Sequence, residues 1–329
     1  MTAQDAAIQA AATLENAAQQ SAAVDRFALI GAGPMGLAMA KLLKEQGIPF
    51  QGFELHSDVG GLWDIDAPLS TMYETAHLIS SKKMTQFDDF PMDDEVAEYP
   101  SHWEMRRYFR DFARHFDLYK DYAFNCQVLS CDPLGDSGAG WRVSWRDGEG
   151  QEHSAVFAGV LIANGTLAEP NIPSFKGRFD GELIHSSQYR DPRQFADKRV
   201  LIVGAGNSGC DIAVDAIHHG VSCDISMRRG YYFVPKYVFG KPADTMGGAI
   251  RLPMWLKRRI DGLILKWFVG DPQKYGFPKP DYALYESHPV VNSLILFHAG
   301  HGDLEVRPDI DHIDGKTVHF ADGSQAEYD

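Results

Sequence analysis

Cysteine pairs, long apolar runs and excess positive charge are all missing from this 329-residue sequence. Its four cysteines, Cys126, Cys131, Cys210 and Cys223, contain no C-x-x-C pair. That spacing excludes the usual redox-active dithiol and gives neither a zinc site nor a disulfide framework of the secreted kind. The histidines also lack metal-ligand spacing, so we predict no metal site.

The remaining absences concern membranes and nucleic acids. No apolar run reaches the roughly 18 residues of a membrane-spanning helix, so no span is predicted. Residues 1–25 lack the basic and apolar parts of a secretory signal, and we interpret them as a flexible N-terminal arm. A cytoplasmic location follows by default. The net charge of -14 argues against nucleic acid as a partner.

Two glycine-rich turns are the main positive signal in the sequence. Each follows a short apolar run, Phe27–Ile30 in the first case and Val200–Val203 in the second, and precedes a run typical of a helix. The turn glycines are Gly31, Gly33 and Gly36 in the first copy, and Gly204, Gly206 and Gly209 in the second. This strand–turn–helix pattern allows a tight turn, close approach of the backbone to a pyrophosphate, and helix–strand packing. Two copies predict two bound dinucleotides and electron transfer between them.

The residues at the ends of the following strands differ between the two copies. Glu54 ends a predicted strand about 20 residues after the first turn, where an acid hydrogen-bonds ribose hydroxyls. Arg228 and Arg229 stand at nearly the same place in the second copy. An acid repels a 2′-phosphate, whereas an arginine can donate two hydrogen bonds to it, so the second site is predicted to prefer NADP. The alternatives are a surface glutamate and a basic turn exposed to water.

Coarser patterns outline the rest of the chain. Residues 73–100 look irregular and are too long for an ordinary connector, which indicates a functional loop. Ser101 begins a predicted helix whose aromatic stripe we interpret as core. Residues 154–163 read as one central strand, and residues 313–323 as a hairpin. The members of the aromatic stripe are Trp103, Tyr108, Phe109, Phe112 and Phe116.

A basic, amphipathic stretch occupies residues 250–269. We favour a helix that covers a neighbouring domain, and a helix lying on a membrane surface is the alternative.

A third motif links the two copies. Phe179-x-Gly181-x3-His185-x3-Tyr189 resembles the fingerprint of flavin-containing monooxygenases, with tyrosine where Baeyer–Villiger relatives typically have tryptophan. The run from Gly204 to Asp211 resembles that family's NADP turn. Glu54 followed by Gly60-Gly61-Leu62-Trp63 resembles its FAD site. The resemblance spans about residues 26–329.

This resemblance implies an α/β fold with two Rossmann-like domains of the three-layer ββα type. FAD would bind a domain at residues 26–166, and NADPH a domain at residues 167–329 that carries a helical insertion. His185 and its neighbours would organise the connection between domains. The residues that the resemblance assigns to cofactor binding are Gly31, Gly33, Pro34, Met35, Gly36, Glu54, Gly61, Leu62, Trp63, Val128, Gly204, Gly206, Asn207, Ser208, Gly209, Arg228 and Arg229.

The implied activity is that of a flavin monooxygenase. NADPH would reduce FAD, and reduced flavin would react with O₂ to give a flavin hydroperoxide that oxygenates an amine nitrogen or a sulfide sulfur. One alternative is a Baeyer–Villiger oxygenase acting on ketones, against which Tyr189 argues. Another is a nucleotide-binding protein or NADPH oxidase without productive oxygen transfer. The partners would be a small substrate and O₂, and a homodimer is compatible with the sequence.

Two departures from the family pattern qualify this expectation. Ile79, next to Ser80, occupies the place of an asparagine in the loop beside the flavin ring; both residues are candidates at the reaction site, and no catalytic side chain is assigned. Isoleucine cannot donate a hydrogen bond, so oxygen transfer would be weak, differently arranged, or diverted to hydrogen peroxide. The sequence also ends directly after the last hairpin, where the family continues into the FAD domain. We therefore expect the C-terminal part of that domain to be missing and the flavin site to be open on one side.

Overall fold

The computed structural model describes residues 25–135, 140–246 and 252–329, which fall into two compact units. The first unit lies within Met1–Ser70 and Trp103–Glu169, and the second comprises Thr71–His102 and Pro170–Asp329. This division groups Thr71–His102 with the second unit, whereas the sequence-based domains placed it in the first. Which unit serves as FAD or NADP domain stays a prediction. The predicted arm at residues 1–25 lies outside the described residues, apart from Asp25.

The helices and strands alternate along most of the chain. The strands are β1 (Phe27–Ile30), β2 (Phe50–Phe53), β3 (Tyr122–Ala123), β4 (Gln127–Pro133), β5 (Trp141–Arg146), β6 (Glu152–Phe157), β7 (Gly159–Ile162), β8 (Gly177–Phe179), β9 (Arg199–Val203), β10 (Ser222–Ser226), β11 (Tyr237–Val238), β12 (Lys241–Pro242), β13 (Leu304–Arg307), β14 (Ile310–Gly315), β15 (Thr317–Phe320) and β16 (Gln325–Glu327). The helices are α1 (Pro34–Glu45), α2 (Lys82–Thr85), α3 (His102–His115), α4 (Asn207–His219), α5 (Met254–Phe268) and α6 (Leu294–His301).

The first unit is built on a parallel sheet in the order β3-β2-β1-β7. Helix α1 contacts β1 and β2, and a separate antiparallel sheet has the order β4-β5-β6. The core contains Ala28, Phe53, Val143 and Phe157, which join the two sheets. Burial of these apolar side chains supplies the driving force for this packing.

The second unit repeats the arrangement. Its parallel sheet has the order β13-β10-β9, with α4 against β9 and β10 and α6 against β13. A second sheet has the order β16-β15-β14-β8, in which only the β14–β8 pair is parallel. The core includes Ala205, Cys210, Ile225, Phe277 and Ile295. The predicted α/β fold class with two Rossmann-like units is confirmed, and so is the hairpin at residues 313–323.

The predicted strand at residues 154–163 is wrong in one respect, because it is two strands. β6 belongs to the antiparallel sheet and β7 to the parallel one, and the chain changes sheets at Ala158. The Ala158 N–H donates to the carbonyl oxygen of Arg26 (2.9 Å), which starts the new pairing. A continuous apolar run does not reveal such a change, since both strands face the same core.

One further expectation needs correction, and another stays untested. Trp103 of the aromatic stripe is 46% exposed, and the Arg106 guanidinium lies 4.8 Å from its ring centroid, so it is not core. Tyr108, Phe109 and Phe112 are buried as predicted. Helix α5 forms within the basic stretch, and none of its residues is buried. That it covers a neighbouring domain stays a prediction. In the described part of the chain, no helix combines the length and apolarity that crossing a bilayer would require.

Candidate functional site

The first glycine turn has the geometry expected of a phosphate-binding turn. Gly31 adopts φ +101°, and a Cβ there would lie 2.5 Å from the Ala163 carbonyl oxygen. A Cβ on Gly36 would overlap the Gly31 carbonyl group. Helix α1 begins directly afterwards with Pro34 at its first position, and no side chain hydrogen bond caps it. The free N–H groups at this helix start favour an anion.

Glu54 is fixed beside this turn. It lies directly after β2, is 8% exposed, and accepts hydrogen bonds from the N–H groups of Ala32 (2.5 Å) and His56 (2.8 Å). This burial does not fit the surface-glutamate alternative. A carboxylate has about four acceptor positions, so capacity for ribose hydroxyls remains.

The predicted second glycine segment also reaches the first turn. Gly61, Leu62 and Trp63 form a short 3-10 helix, and a Cβ on Gly61 would lie 2.8 Å from the Gly33 Cα atom. Val128 lies elsewhere in the unit, on β4, where it packs half-buried against the first-unit core. The structure therefore brings the turn, Glu54 and Gly61 together, and Met35 is exposed at the start of α1.

A buried ion-pair cluster that the sequence analysis missed anchors this segment. Asp64 is fully buried and accepts hydrogen bonds from Arg106 (3.0 Å) and Arg110 (2.6 Å) of α3. Burial alone would raise the pKa of Asp64, but the Arg106 hydrogen bond and both guanidinium charges hold that pKa below its ordinary value. The available signal was an acid directly after Trp63 and two arginines four residues apart on one helix face.

The second turn matches the first in its backbone. Gly204 adopts φ +98°, and a Cβ on Gly209 would overlap the Gly204 carbonyl group. Gly206 has open space where a Cβ would stand. Ser208 is exposed at the start of α4.

The Asn207 side chain at this turn is hydrogen-bonded to another part of the chain. Its Oδ1 accepts the N–H of Val291 (2.7 Å), and its Nδ2 donates to the Pro289 carbonyl (3.4 Å). The side chain therefore fixes a distant loop to the helix start.

A cavity of about 620 Å³ lies beside the second turn, entirely within the second unit. The turn residues Gly204, Gly206 and Ser208 line it together with Phe179 and His185 of the family motif. Its size falls in the range of small-molecule and cofactor pockets.

The two arginines after β10 differ in their surroundings. Both are exposed, and within the described ranges no hydrogen bond or ion pair engages Arg228. The Arg229 guanidinium lies 5.5 Å from the ring centroid of Tyr231 and 5.4 Å from that of Tyr282. Arg228 is thus the more available cation, and Arg229 is held by aromatic faces.

The residues of the family motif, among them His185 and Tyr189, make contacts that support the fold. His185 Nδ1 accepts the N–H of Ser187 (3.1 Å) and so caps a short 3-10 helix. Tyr189 is 1% exposed and donates its hydroxyl hydrogen to Asp215 (2.8 Å). Burial, and then this bond, raise the pKa of Tyr189 far above its ordinary value. A Cβ on Gly181 would lie 2.5 Å from the Asp329 carbonyl oxygen, so the motif glycine is needed for close packing.

The Ile79–Ser80 segment lies at the surface of the second unit. Ile79 is 41% exposed, and the Ser80 hydroxyl lies 2.8 Å from that of Thr85. The Lys82 ammonium group donates to the carbonyl oxygens of Asp94 (3.1 Å) and Val96 (2.7 Å). The lysine therefore closes the following loop.

Thiol and metal chemistry find no support at these sites. All four cysteines are free, and burial raises the pKa of Cys210 and of Cys223 to about 12, so neither is a thiolate at neutral pH. Across the described segments, no group of three or more histidine, cysteine or acidic residues could hold a metal ion.

Comparison with known proteins gave a family match and several relatives. The family model FMO-like, described as flavin-binding monooxygenase-like, matches residues 24–328. The probable indole-3-pyruvate monooxygenase YUCCA9 of Arabidopsis thaliana is 32% identical over 315 residues, which cover 92% of this chain and 72% of that protein. Human flavin-containing monooxygenase 2 is 31% identical over 320 residues, which cover 92% of this chain and 59% of that protein. The chain thus spans about three fifths of its mammalian relatives.

Solved structures share the fold. Cyclohexanone monooxygenase with bound ε-caprolactone superposes with a TM-score of 0.71 at 20% identity, covering 92% of this chain and 71% of that one. The S-allyl-L-cysteine S-oxygenase of Allium sativum gives a TM-score of 0.65 at 22% identity, covering 92% and 60%. A steroid monooxygenase bound to NADP gives 0.68 at 20% identity, covering 92% and 69%.

Proposed function

This chain belongs to the flavin-binding monooxygenase-like family, and on that premise we propose that it is an NADPH-dependent FAD monooxygenase acting on a soft nucleophile. The soft nucleophile is an amine nitrogen or a sulfide sulfur. The membership confirms the family predicted from the sequence, and the predicted FAD and NADPH cofactors agree with it.

One observation carries the proposal. The same turn geometry occurs in both units, yet a buried acid lies beside the first turn and a free, exposed arginine follows β10 in the second. Glu54 suits a ribose with free hydroxyls, and Arg228 suits a 2′-phosphate. Hydride transfer from NADPH to FAD requires that one protein binds both dinucleotides.

The residues present fit both cofactors. In the first unit, the open start of α1 would bind the FAD pyrophosphate, and Glu54 would orient the adenosine ribose. In the second unit, the backbone around Gly206 would bind the NADPH pyrophosphate, and Arg228 the 2′-phosphate. When bound, FAD would take hydride from NADPH and activate O₂ for transfer to substrate. The protein would orient both nucleotides and limit access of water.

The substrate class rests on the motif and on the names of relatives. Tyr189 stands where ketone-oxidising relatives typically have tryptophan. Among the similar proteins, a dimethylaniline monooxygenase of Pan troglodytes is named as N-oxide-forming, and the Allium sativum enzyme is named as an S-oxygenase. These names favour nitrogen or sulfur over a ketone carbonyl.

A second candidate is an NADPH oxidase without productive oxygen transfer. Ile79 favours it, because its exposed hydrocarbon side chain offers no hydrogen bond at the predicted flavin-side position.

Turnover assays with the 329-residue protein test both candidates. After FAD addition, NADPH consumption, hydrogen peroxide and products would be measured with N,N-dimethylaniline, a dialkyl sulfide and cyclohexanone. An N-oxide or sulfoxide formed in proportion to NADPH supports the proposal. An ester from cyclohexanone would contradict the substrate class, and peroxide equal to NADPH would favour the oxidase. Gly206→Ala protein, with its phosphate approach blocked, is the matched control and should be inactive in all three assays.

A further inference from the structure

Two carboxylates of α4 hold the segment Thr71–Ser81, which carries Ile79 and is called the tethered segment below. We infer that Asp211 and Asp215 are positioning residues that tie this segment to the helix beginning at the NADPH turn. Occupancy of that turn then sets where Ile79 and Ser80 lie. The inference rests on the proposed function for its catalytic meaning, but the tether itself is a property of the second unit.

The two carboxylates face the segment together. They lie four residues apart on α4, hence on one face of the helix. The Tyr73 hydroxyl donates to Asp211 Oδ2 (3.3 Å), and the Thr75 hydroxyl donates to Asp215 Oδ2 (2.5 Å). Tyr73 and Thr75 are thereby hydrogen-bonded to two successive turns of α4.

Each carboxylate has a second donor that holds it in place. Asn292 Nδ2 donates to Asp211 Oδ1 (2.6 Å), and the motif residue Tyr189 donates to the same Asp215 oxygen that Thr75 uses (2.8 Å). The Tyr73 and Tyr189 ring centroids are 5.3 Å apart. The two hydrogen bonds at Asp215 have the lengths of strong bonds to a carboxylate, whereas the Tyr73 bond to Asp211 is longer, so Asp215 is the firmer of the two contacts.

The far end of the segment is anchored as well. The Lys236 ammonium group donates to the Leu78 carbonyl oxygen (3.3 Å), and the Ser81 N–H donates to Asp244 Oδ2 (2.7 Å). Ile79 and Ser80 therefore lie between anchors at both sides. Ile79 is nonetheless 41% exposed, so the segment presents this side chain outward from a fixed backbone.

Helix α4 connects the tether to the nucleotide turn. Asp211 is four residues after Asn207, the first residue of α4, which corresponds to about 6 Å along a rigid helix. A displacement of the turn on binding NADP⁺ is passed by the helix to both carboxylates and from them to the segment. The Tyr189 of the family motif thereby gains a role as a support of Asp215.

Hydrogen–deuterium exchange on the whole protein tests the tether. The amides of Glu74, Ala76, Leu78 and Ser81 are hydrogen-bonded, so the segment should exchange slowly. The double variant Tyr73→Phe/Thr75→Val removes both hydroxyls with little change in volume and should speed exchange in peptides covering 71–82 at least tenfold. Unchanged exchange would overturn the inference.

Tyr328→Phe is the matched control. It removes a bond of the same kind, from a buried hydroxyl to Asp224 (2.7 Å), in the same unit and away from the segment. Exchange in peptides 71–82 should stay at the wild-type rate in this variant. Faster exchange there would mean that any loss of a buried tyrosine bond loosens the unit, and would contradict a specific tether.

Adding NADP⁺ tests the coupling between the nucleotide turn and the tethered segment. Wild-type protein should show a several-fold slowing in peptides 71–82, and the double variant should lose this slowing while its NADP⁺ affinity stays within about threefold. In turnover, the variant should release more hydrogen peroxide per NADPH at an unchanged KM for NADPH. If wild-type protein binds NADP⁺ without any change in the segment, the coupling is wrong. Failure to bind NADP⁺ at all would instead refute the proposed function. The comparison of wild type and double variant without nucleotide would still test the tether.

Discussion

Replacing Arg228 by alanine should weaken NADPH binding and leave NADH binding unchanged. Arg228 is exposed and has no hydrogen bond or ion pair among the described residues, so the substitution removes nothing that supports the fold. Its only expected loss is the contact with the 2′-phosphate, a group that NADH lacks.

The size of the effect follows from this exposure. A hydrogen bond to a charged group contributes about 1.5 to 3 kcal/mol, and solvent screening places an exposed arginine at the lower end. Since each 1.4 kcal/mol corresponds to about tenfold in affinity, the Kd for NADPH should rise about tenfold. The thermal midpoint should stay within about 1 °C, because surface substitutions of this kind change stability little.

Titration with NADPH and NADH, followed by nucleotide fluorescence, gives both constants for each protein. Arg259→Ala is the matched control, because it removes an equally exposed arginine from α5 of the same unit. The control should bind both nucleotides like wild type. Equal weakening of NADPH and NADH by Arg228→Ala would refute the assignment of the 2′-phosphate site. Equal weakening of NADPH by both variants would mean that only overall charge matters.

Four further predictions follow from the geometry of the sites. Gly206→Ala should abolish NADP⁺ binding, because the added Cβ would block the approach of the phosphate, and should leave the melting temperature unchanged, because that Cβ would touch no protein atom. Gly209→Ala should instead lower the melting temperature by several degrees in a thermal scan, because its Cβ would overlap the backbone. Asp64→Asn should lower the free energy of unfolding by about 1.5 to 3 kcal/mol in urea titrations, since it removes the charged acceptor of the hydrogen bonds from Arg106 and Arg110. Both half-buried arginines keep a second ion pair, with Asp66 and Asp58 respectively. Because the folded-state pKa of Asp64 is depressed, its contribution is complete above the unfolded pKa of about 3.9 and is lost as the pH falls below it, so stability should decline less steeply with acid in the variant than in wild type. Glu54→Gln should reduce FAD retention about tenfold after gel filtration, since an amide has a single acceptor oxygen for two N–H groups and a ribose. Ile79→Asn should raise the ratio of oxygenated product to hydrogen peroxide severalfold; an unchanged ratio would show that this position does not face the reacting oxygen.

Local patterns were sufficient for the glycine turns and the strands that lead into them. β1 was predicted with its correct bounds, and both turns have the predicted backbone geometry at Gly31 and Gly204. The reason is that such a turn is specified by adjacent residues, each with a steric requirement of its own. The place of Glu54 followed as well, because it depends on one strand end.

Contacts between distant parts of the chain were not predictable in this way. The Asp64–Arg106 bond spans 42 residues, and the Thr75–Asp215 bond spans 140 residues. Sequence spacing within one element carries no information about such partners. The aromatic stripe failed at Trp103 for a related reason, since a periodic pattern gives the face of a helix but not where the covering surface ends.

The amide of Asn207 has a consequence for how the protein folds. It joins the start of α4 to Pro289 and Val291, which lie 82 and 84 residues further along the chain. A contact that closes a loop of that length forms late, because the conformational entropy lost by closing the loop must be offset before the contact stabilises the fold. The start of α4 should therefore become fixed to the Pro289–Val291 loop only after this long stretch of chain has been ordered. A chain stalled during synthesis before residue 289 would carry the glycine sequence without the two hydrogen bonds that fix Asn207.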